Sequence, residues 1–233
     1  MTVIQTTGAR PRLFYLFVAI ATAAIIFAGF APSFYLRPPA TAPLKPLLVL
    51  HGTVFSVWLL LFLAQTALIP ARKVKWHRTL GWAGLALAAV MIVLGIAAAL
   101  DSLRAGSPVP GLDPRVFAML PLGDIAIFAF LVGWATVKRC RSEWHKRLMV
   151  MATVSLLTPA IARLLIPTNG GAPLFLLATA ALVAAVIAFD WIAHRRPHPA
   201  YLWGGALVAL GKPLLLFAVA PSGPWLAFMD LLR

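Results

Sequence analysis

Long apolar stretches alternate with short polar junctions along almost the whole chain. Each stretch has about 20 residues, the length at which a helix crosses the hydrocarbon core of a bilayer. The pattern predicts seven membrane-spanning helices, at residues 13–36, 43–69, 79–100, 116–137, 148–166, 174–193 and 201–220. The junctions carry Pro or Gly, which end helices, and no stretch alternates polar and apolar residues as a barrel strand does. We therefore expect an all-α helix bundle that forms a single integral membrane domain over residues 1–233.

Composition agrees with this fold class. Of the residues, 62% are apolar and 11% are charged, which is more apolar than a soluble domain needs. The single cysteine, Cys140, excludes an internal disulfide framework. A net charge of +14 would suggest nucleic acid as the partner of a soluble chain. Here the basic residues lie in short runs between apolar stretches, so they indicate topology and contact with the lipid bilayer instead of nucleic acid.

The distribution of Lys and Arg predicts the orientation of the chain. Most of them lie in the connections on the side of the N-terminus, which the positive-inside rule assigns to the cytoplasm. An odd number of crossings then leaves the C-terminus outside. Arg10 and Arg12 precede the first stretch as in a signal peptide, but the stretch is too long for one. We expect a multi-pass protein of the inner (plasma) membrane that retains its first span.

A Trp-His-basic sequence occurs at two equivalent boundaries. Residues 73–82 read KVKWHRTLGW, residues 141–150 read RSEWHKRLMV, and a fainter copy, RPHPAYLWGG, covers residues 196–205. Three tandem hairpins after an extra first span would explain the repeat, and so would the composition that any inner interface favours. The residues expected in the interfacial region are Trp76, Trp144, Arg78, Lys146 and Arg147.

Four histidines gather at this inner end: His77, His145, His194 and His198. They are either interfacial side chains, like their Trp neighbours, or ligands. His194 and His198 have the four-residue spacing of a helical metal site, but Pro197 between them would break that helix. We therefore expect no metal site there.

Polar side chains inside the predicted spans are costly unless they are paired or line a cavity. His51, Asp124 and Lys212 lie about 12 Å from the outer ends of three different spans, at about 1.5 Å per residue. Asp124 and Lys212 are expected to pair, unless Lys212 extends to the headgroups and Asp124 bonds to a neighbouring helix. Arg163 is shallower and either extends outward or borders the same space.

Two further polar residues follow His51 at intervals of seven along the second span. This spacing keeps Trp58 and Gln65 close to the face that carries His51. Such a stripe is expected to face the bundle, where polar surface forms a binding site, a proton path or a cofactor pocket. The sequence thus predicts a polar intramembrane pocket formed by His51, Asp124, Lys212, Arg163, Trp58 and Gln65.

Three short motifs carry a resemblance to known proteins. They are His51-Gly52, HRTLG at residues 77–81 and HKRLM at residues 145–149. Over about residues 43–166 the chain resembles a group of uncharacterised bacterial multi-span proteins, which implies no activity. More distantly, the layout resembles the four-helix core of cytochrome b561 and ferric reductases, in which alternate helices supply histidine pairs to two haems.

That second resemblance implies that the second to fifth predicted spans form the core. His77 and His145 would then be the inner haem ligands. On the outer side His51 faces Asp124, and a carboxylate is a poor second axial ligand for a b-type centre. The resemblance therefore implies one haem b at most.

Motifs of soluble catalytic sites, such as a Walker loop, GxSxG or HExxH, do not occur in the sequence. Two functions remain. One is a b-type transmembrane redox protein with an unidentified electron donor. The other is a protein that binds or transports a small-molecule substrate or a lipid without haem. Whether the chain is an enzyme stays open, and no catalytic residue is identified.

Overall fold

The structure of the chain is a computed structural model that describes residues 10–107, 112–165, 168 and 171–233. The side chains of Arg10 and Arg12 lie outside the described part. So does residue 166, at the predicted end of the fifth span.

Seven segments within the described residues are helical, long and apolar enough to cross a membrane. Spans 1 to 7 are Leu13–Tyr35, Pro46–Leu68, Val74–Ala105, Pro114–Val137, Ser142–Leu165, Gly171–His194 and Pro199–Val219. No strand occurs in the part of the chain that the structure describes, so the predicted all-α membrane bundle is confirmed. The chain is an integral membrane protein. A short helix, Gly223–Asp230, follows span 7 and packs on span 4.

Spans 3 and 5 begin earlier than the hydrophobic pattern predicts. Span 3 starts at Val74 instead of residue 79, and span 5 starts at Ser142 instead of residue 148. Both Trp-His-basic sequences therefore lie largely within the first turns of helices. Hydropathy could not detect these turns, because helical Lys and Arg at a membrane boundary can extend their charges into the headgroups.

Span 5 occupies the centre of the bundle. It packs against spans 1, 4, 6 and 7, whereas spans 2 and 3 pack in sequence between spans 1 and 4. Close approach of span 1 depends on Gly29, since a Cβ atom there would lie 2.5 Å from the carbonyl oxygen of Ala160. Span 5 is therefore enclosed by protein over most of its length.

Two spans are interrupted inside the bundle. Span 5 consists of the helices Ser142–Ser155 and Thr158–Leu165, joined by a turn. Pro159 has no backbone N–H, so it cannot donate to the carbonyl of Ser155 four residues earlier. The turn and the proline together leave that carbonyl available to another donor.

Span 7 is interrupted at Leu210. The helix Pro199–Ala209 ends there, a single turn follows at Gly211–Leu214, and a π-helical turn covers Leu215–Val219. Pro213 explains the interruption, because it removes the hydrogen bond to Ala209 and crowds the preceding turn. Lys212 lies in this irregular segment.

Candidate functional site

The ion pair expected between Asp124 and Lys212 is present in the structure. Nζ of Lys212 lies 2.6 Å from Oδ1 of Asp124, and both side chains are almost fully buried. Span 4 contributes the carboxylate and span 7 the ammonium. The pair therefore joins two spans that are distant in sequence.

Lys212 has no hydrogen-bonding capacity left over. In addition to the Asp124 carboxylate, its ammonium donates to the carbonyl of Ser155 at 2.5 Å and to Oγ1 of Thr158. An ammonium has three N–H donors, so all three are used. The sequence analysis missed Ser155 and Thr158. The sequence Thr158-Pro159 could have indicated the new helix start within span 5, because a hydroxyl residue followed by proline is typical of a helix start.

A cavity of about 10 Å³ adjoins the pair. It is lined by Met119, Leu120, Gly123, Asp124, Lys212, Leu215 and Leu216. This volume is close to the minimum that holds one water molecule. In this conformation the pair has room for a water and none for a larger substrate.

His51 and Arg163 have other neighbours than the ion pair. The ring of His51 stacks on Phe55 with their centroids 4.1 Å apart, and His51 does not line the cavity beside Asp124. The guanidinium of Arg163 lies 4.3 Å from the ring centre of Phe30 and donates to the carbonyl of Pro159. The described contacts thus divide the predicted pocket into a paired group, Asp124 and Lys212, and a separate group around His51.

Unpaired polar atoms run along spans 2 and 3. The buried atoms without a hydrogen-bond partner among the described residues include Nδ1 of His51, Nε1 of Trp58, Oε1 of Gln65 and Nδ1 of His77. Each buried unpaired polar group costs about 1–3 kcal/mol. A water, an ion or a ligand bound to these atoms would remove that cost. We name these four residues the polar stripe.

The rings of the inner histidines, His77 and His145, are neighbours. The ring centroids of His77 and His145 are 6.4 Å apart, and the ring planes are nearly perpendicular, at 86°. Nδ1 of His145 lies 2.9 Å from the carbonyl oxygen of Ala135. Because a carbonyl only accepts, Nδ1 of His145 is the donor, and in a neutral ring Nε2 then carries the lone pair.

The donor set of this histidine pair fits a haem. His77 and His145 would each supply one imidazole nitrogen to the iron, and imidazole nitrogens bind metals at about 2 Å. The 6.4 Å between the centres of the two rings leaves room for one metal ion between them. Within the described residues, no group of three or more His, Cys, Asp or Glu side chains could hold a metal ion. A haem iron needs only two protein ligands, since the porphyrin supplies the other four.

Arg147 was expected in the interfacial region, and that expectation is wrong. Its side chain is 1% exposed and points into the bundle, where Nη2 lies 2.7 Å from Oδ1 of Asp190 in span 6. Glu143 also accepts from Arg147. The sequence analysis missed Asp190, although a lone carboxylate in an apolar span was a signal for a buried partner.

His194 and His198 have separate partners. Nδ1 of His194 lies 2.9 Å from the carbonyl oxygen of Asp190. His198 begins span 7, and its Nδ1 accepts from the backbone N–H of Ala200 at 3.1 Å. Burial lowers the pKa of His198, and the positive charge of Arg147 lowers this pKa further. His198 is therefore a neutral helix cap near pH 7.

Comparison of the chain with protein-family models, with curated proteins and with solved structures finds no match. Function is therefore inferred from the side chains and their contacts.

Proposed function

We propose that the chain is a membrane redox protein that binds one haem b between His77 and His145, at the basic end of the bundle. The neighbouring imidazoles of spans 3 and 5, with ring centres 6.4 Å apart, support this proposal most directly. A second support is the unpaired Nδ1 of His77, a buried polar atom without a partner among the described residues. Binding of the iron to this nitrogen would give it a partner.

Residues near the two histidines would orient a ligand ring and neutralise the charge of the haem propionates. The carbonyl of Ala135 holds the ring of His145 through Nδ1, as outer partners of metal-bound histidines commonly do, and Nε2 is the nitrogen that would bind the iron. Arg78 follows His77 in sequence and would neutralise a propionate of the porphyrin. A bound haem supplies a one-electron carrier.

The outer half offers no second haem site of the same kind. His51 has no facing histidine in the described contacts, and Lys212 holds the carboxylate of Asp124. One haem would accept or deliver electrons at one membrane face only. The proposed location is the inner (plasma) membrane, with the basic end in the cytoplasm.

The visible spectrum of detergent-purified protein tests this proposal. Protein from haem-replete cells should show a Soret band with the paired bands of a reduced b-type centre. His77→Ala and His145→Ala should each abolish the Soret band. His198→Ala is the matched control and should leave it intact, because His198 caps span 7. A colourless wild-type protein would refute the redox proposal.

The second candidate function is the binding or transport of a small polar molecule or a lipid without haem. The outer part of the polar stripe favours it, because Nδ1 of His51 and Nε1 of Trp58 are buried and unpaired within the described residues, about 10 Å apart along span 2. These atoms lie away from the inner histidine pair. A molecule with one donor and one acceptor would satisfy both.

Native mass spectrometry distinguishes this candidate from the first. A copurified molecule should be present on wild-type protein and absent from His51→Ala and Trp58→Phe. Trp76→Phe is the control, because Trp76 is exposed at the basic end. Wild-type protein that carries no such molecule, or that loses it equally in the control, would contradict the second candidate.

A further inference from the structure

We infer that Asp124, Ser155 and Thr158 form an oxygen site for a small monovalent cation, and that the ammonium of Lys212 is its tethered occupant. The inference is independent of haem binding, because these residues lie apart from the histidine pair. It concerns the group of oxygens that surrounds Nζ of Lys212, which we name the oxygen cage.

The oxygen cage combines three kinds of oxygen. Oδ1 of Asp124 lies 2.6 Å from Nζ of Lys212, the carbonyl oxygen of Ser155 lies 2.5 Å away, and Oγ1 of Thr158 completes the set. Carboxylate, carbonyl and hydroxyl oxygens are hard ligands, which suit alkali and alkaline-earth cations better than soft metals. The cage therefore recognises a compact, hard cation.

Backbone geometry builds the cage. The carbonyl of Ser155 is free of its usual helical partner because Pro159 has no N–H to donate. Free carbonyls at interrupted helices are a recurrent means of binding monovalent cations within membranes. Without the interruption of span 5, this oxygen would be bonded within the helix.

Charge selects a monovalent cation. Asp124 supplies one negative charge, and the other two oxygens are neutral. One positive charge gives neutrality, whereas a divalent ion would leave an excess charge in a buried site. The ammonium of Lys212 now supplies that positive charge.

Lys212 approaches the cage from a separate span. Its segment, Gly211–Leu214, is a single turn between the interruption at Leu210 and the π-helical turn Leu215–Val219, so a continuous α-helix does not hold it rigidly in place. The cavity of about 10 Å³ beside Asp124 gives a water or a small cation a position next to the carboxylate. A free cation in the cage and Lys212 in the cage exclude each other, so occupancy would determine whether span 7 is tied to spans 4 and 5.

The test uses Lys212→Ala, which removes the tethered occupant and keeps the cage. Its melting temperature in detergent is measured in sodium chloride and in choline chloride at equal ionic strength, and also with added methylammonium. The melting temperature of Lys212→Ala should rise with increasing sodium or methylammonium and reach a plateau about 5 °C higher. Choline is too large for the cage and should have no effect. Wild-type protein should not respond, because Lys212 fills the cage.

Two matched controls accompany this measurement. The double variant Lys212→Ala, Asp124→Asn lacks the carboxylate and should lose the response to sodium. Arg147→Ala opens the other buried ion pair, where two carboxylates, of Asp190 and Glu143, and one carbonyl contact the guanidinium. It lacks the single-carboxylate cage and should not be rescued to the same extent. Equal melting temperatures of Lys212→Ala in sodium and choline would overturn the inference. So would equal rescue of Arg147→Ala, because that is a general salt effect.

A second measurement covers the case in which Lys212→Ala is too unstable to purify without a ligand. The variant is then extracted in parallel in sodium chloride and in choline chloride. Recovery of folded monomer in sodium alone, with radioactive sodium bound in about one-to-one ratio, is the expected result. Failure of recovery in both salts would show that sodium cannot replace the ammonium, and would overturn the inference.

Discussion

Arg147 and Asp190 form a buried ion pair between spans 5 and 6, and each side chain is only 1% exposed. Two nitrogens of the guanidinium bond to the carboxylate, from Nε at 3.0 Å and from Nη2 at 2.7 Å. The ring of Tyr201 from span 7 lies beside the guanidinium, with its centre 5.6 Å away. The pair thus joins the central span to span 6, beside Tyr201 of span 7.

Removal of one member of this pair should be strongly destabilising. Arg147→Met leaves the carboxylate of Asp190 buried without its cation, which typically costs about 3–5 kcal/mol. The double variant Arg147→Met, Asp190→Leu should recover much of that loss. Thermal unfolding in detergent measures the effect. Lys146→Met is the control, and it should change stability by less than about 1 kcal/mol because its partner Glu143 is exposed.

The same reasoning applies to Asp124 and Lys212. Asp124→Asn and Lys212→Met should each lower the melting temperature, and the double variant should lie closer to wild type than the sum of the single losses. A double-mutant cycle on the melting curves gives the coupling energy. Strictly additive losses would mean that the two side chains do not meet in the folded protein.

Gly29 should tolerate no side chain. Gly29→Ala would bring Cβ to 2.5 Å from the carbonyl oxygen of Ala160, so span 1 has to move away from span 5 at a cost of about 1–3 kcal/mol. Gly133→Ala is the matched control, because nothing lies within 4 Å of its added Cβ and alanine favours the helix. Equal melting temperatures for the two variants would contradict the close packing of spans 1 and 5.

Membrane orientation is tested by fusions at the C-terminus. The basic connections predict a cytoplasmic N-terminus, and seven spans then place Arg233 outside. A phosphatase that is active only outside the cytoplasm should therefore work when fused there, and a fluorescent protein that matures only in the cytoplasm should stay dark. The opposite result would mean an inverted orientation.

The sequence predicted the spans well because lipid imposes a simple requirement on about 20 consecutive residues. It also predicted that Asp124 and Lys212 meet, since counting residues gives depth along a helix. Depth alone does not give the direction in which a side chain points around the helix. For that reason His51 was grouped with Asp124, and Arg147 was expected at the surface instead of against span 6.

The interruptions of spans 5 and 7 were missed for a different reason. Leu156 and Leu157 are apolar, so hydropathy continues unchanged through the turn that contains them. The interruption depends on one hydrogen bond that Pro159 cannot make, and average hydropathy carries no information on single hydrogen bonds. Thr158-Pro159 could have indicated a helix start, but that the carbonyl of Ser155 and the hydroxyl of Thr158 bind Lys212 could be identified only once the backbone was known.

The position of Arg147 has a consequence for biosynthesis. Its partner Asp190 is 43 residues further along the chain, so the ribosome completes span 5 well before the carboxylate exists. Arg147 lies close to the start of span 5, where a long cationic side chain can remain among headgroups until span 6 is inserted. We therefore expect span 5 to remain at the periphery of the partly assembled bundle until span 6 is inserted, and to reach its central position only then.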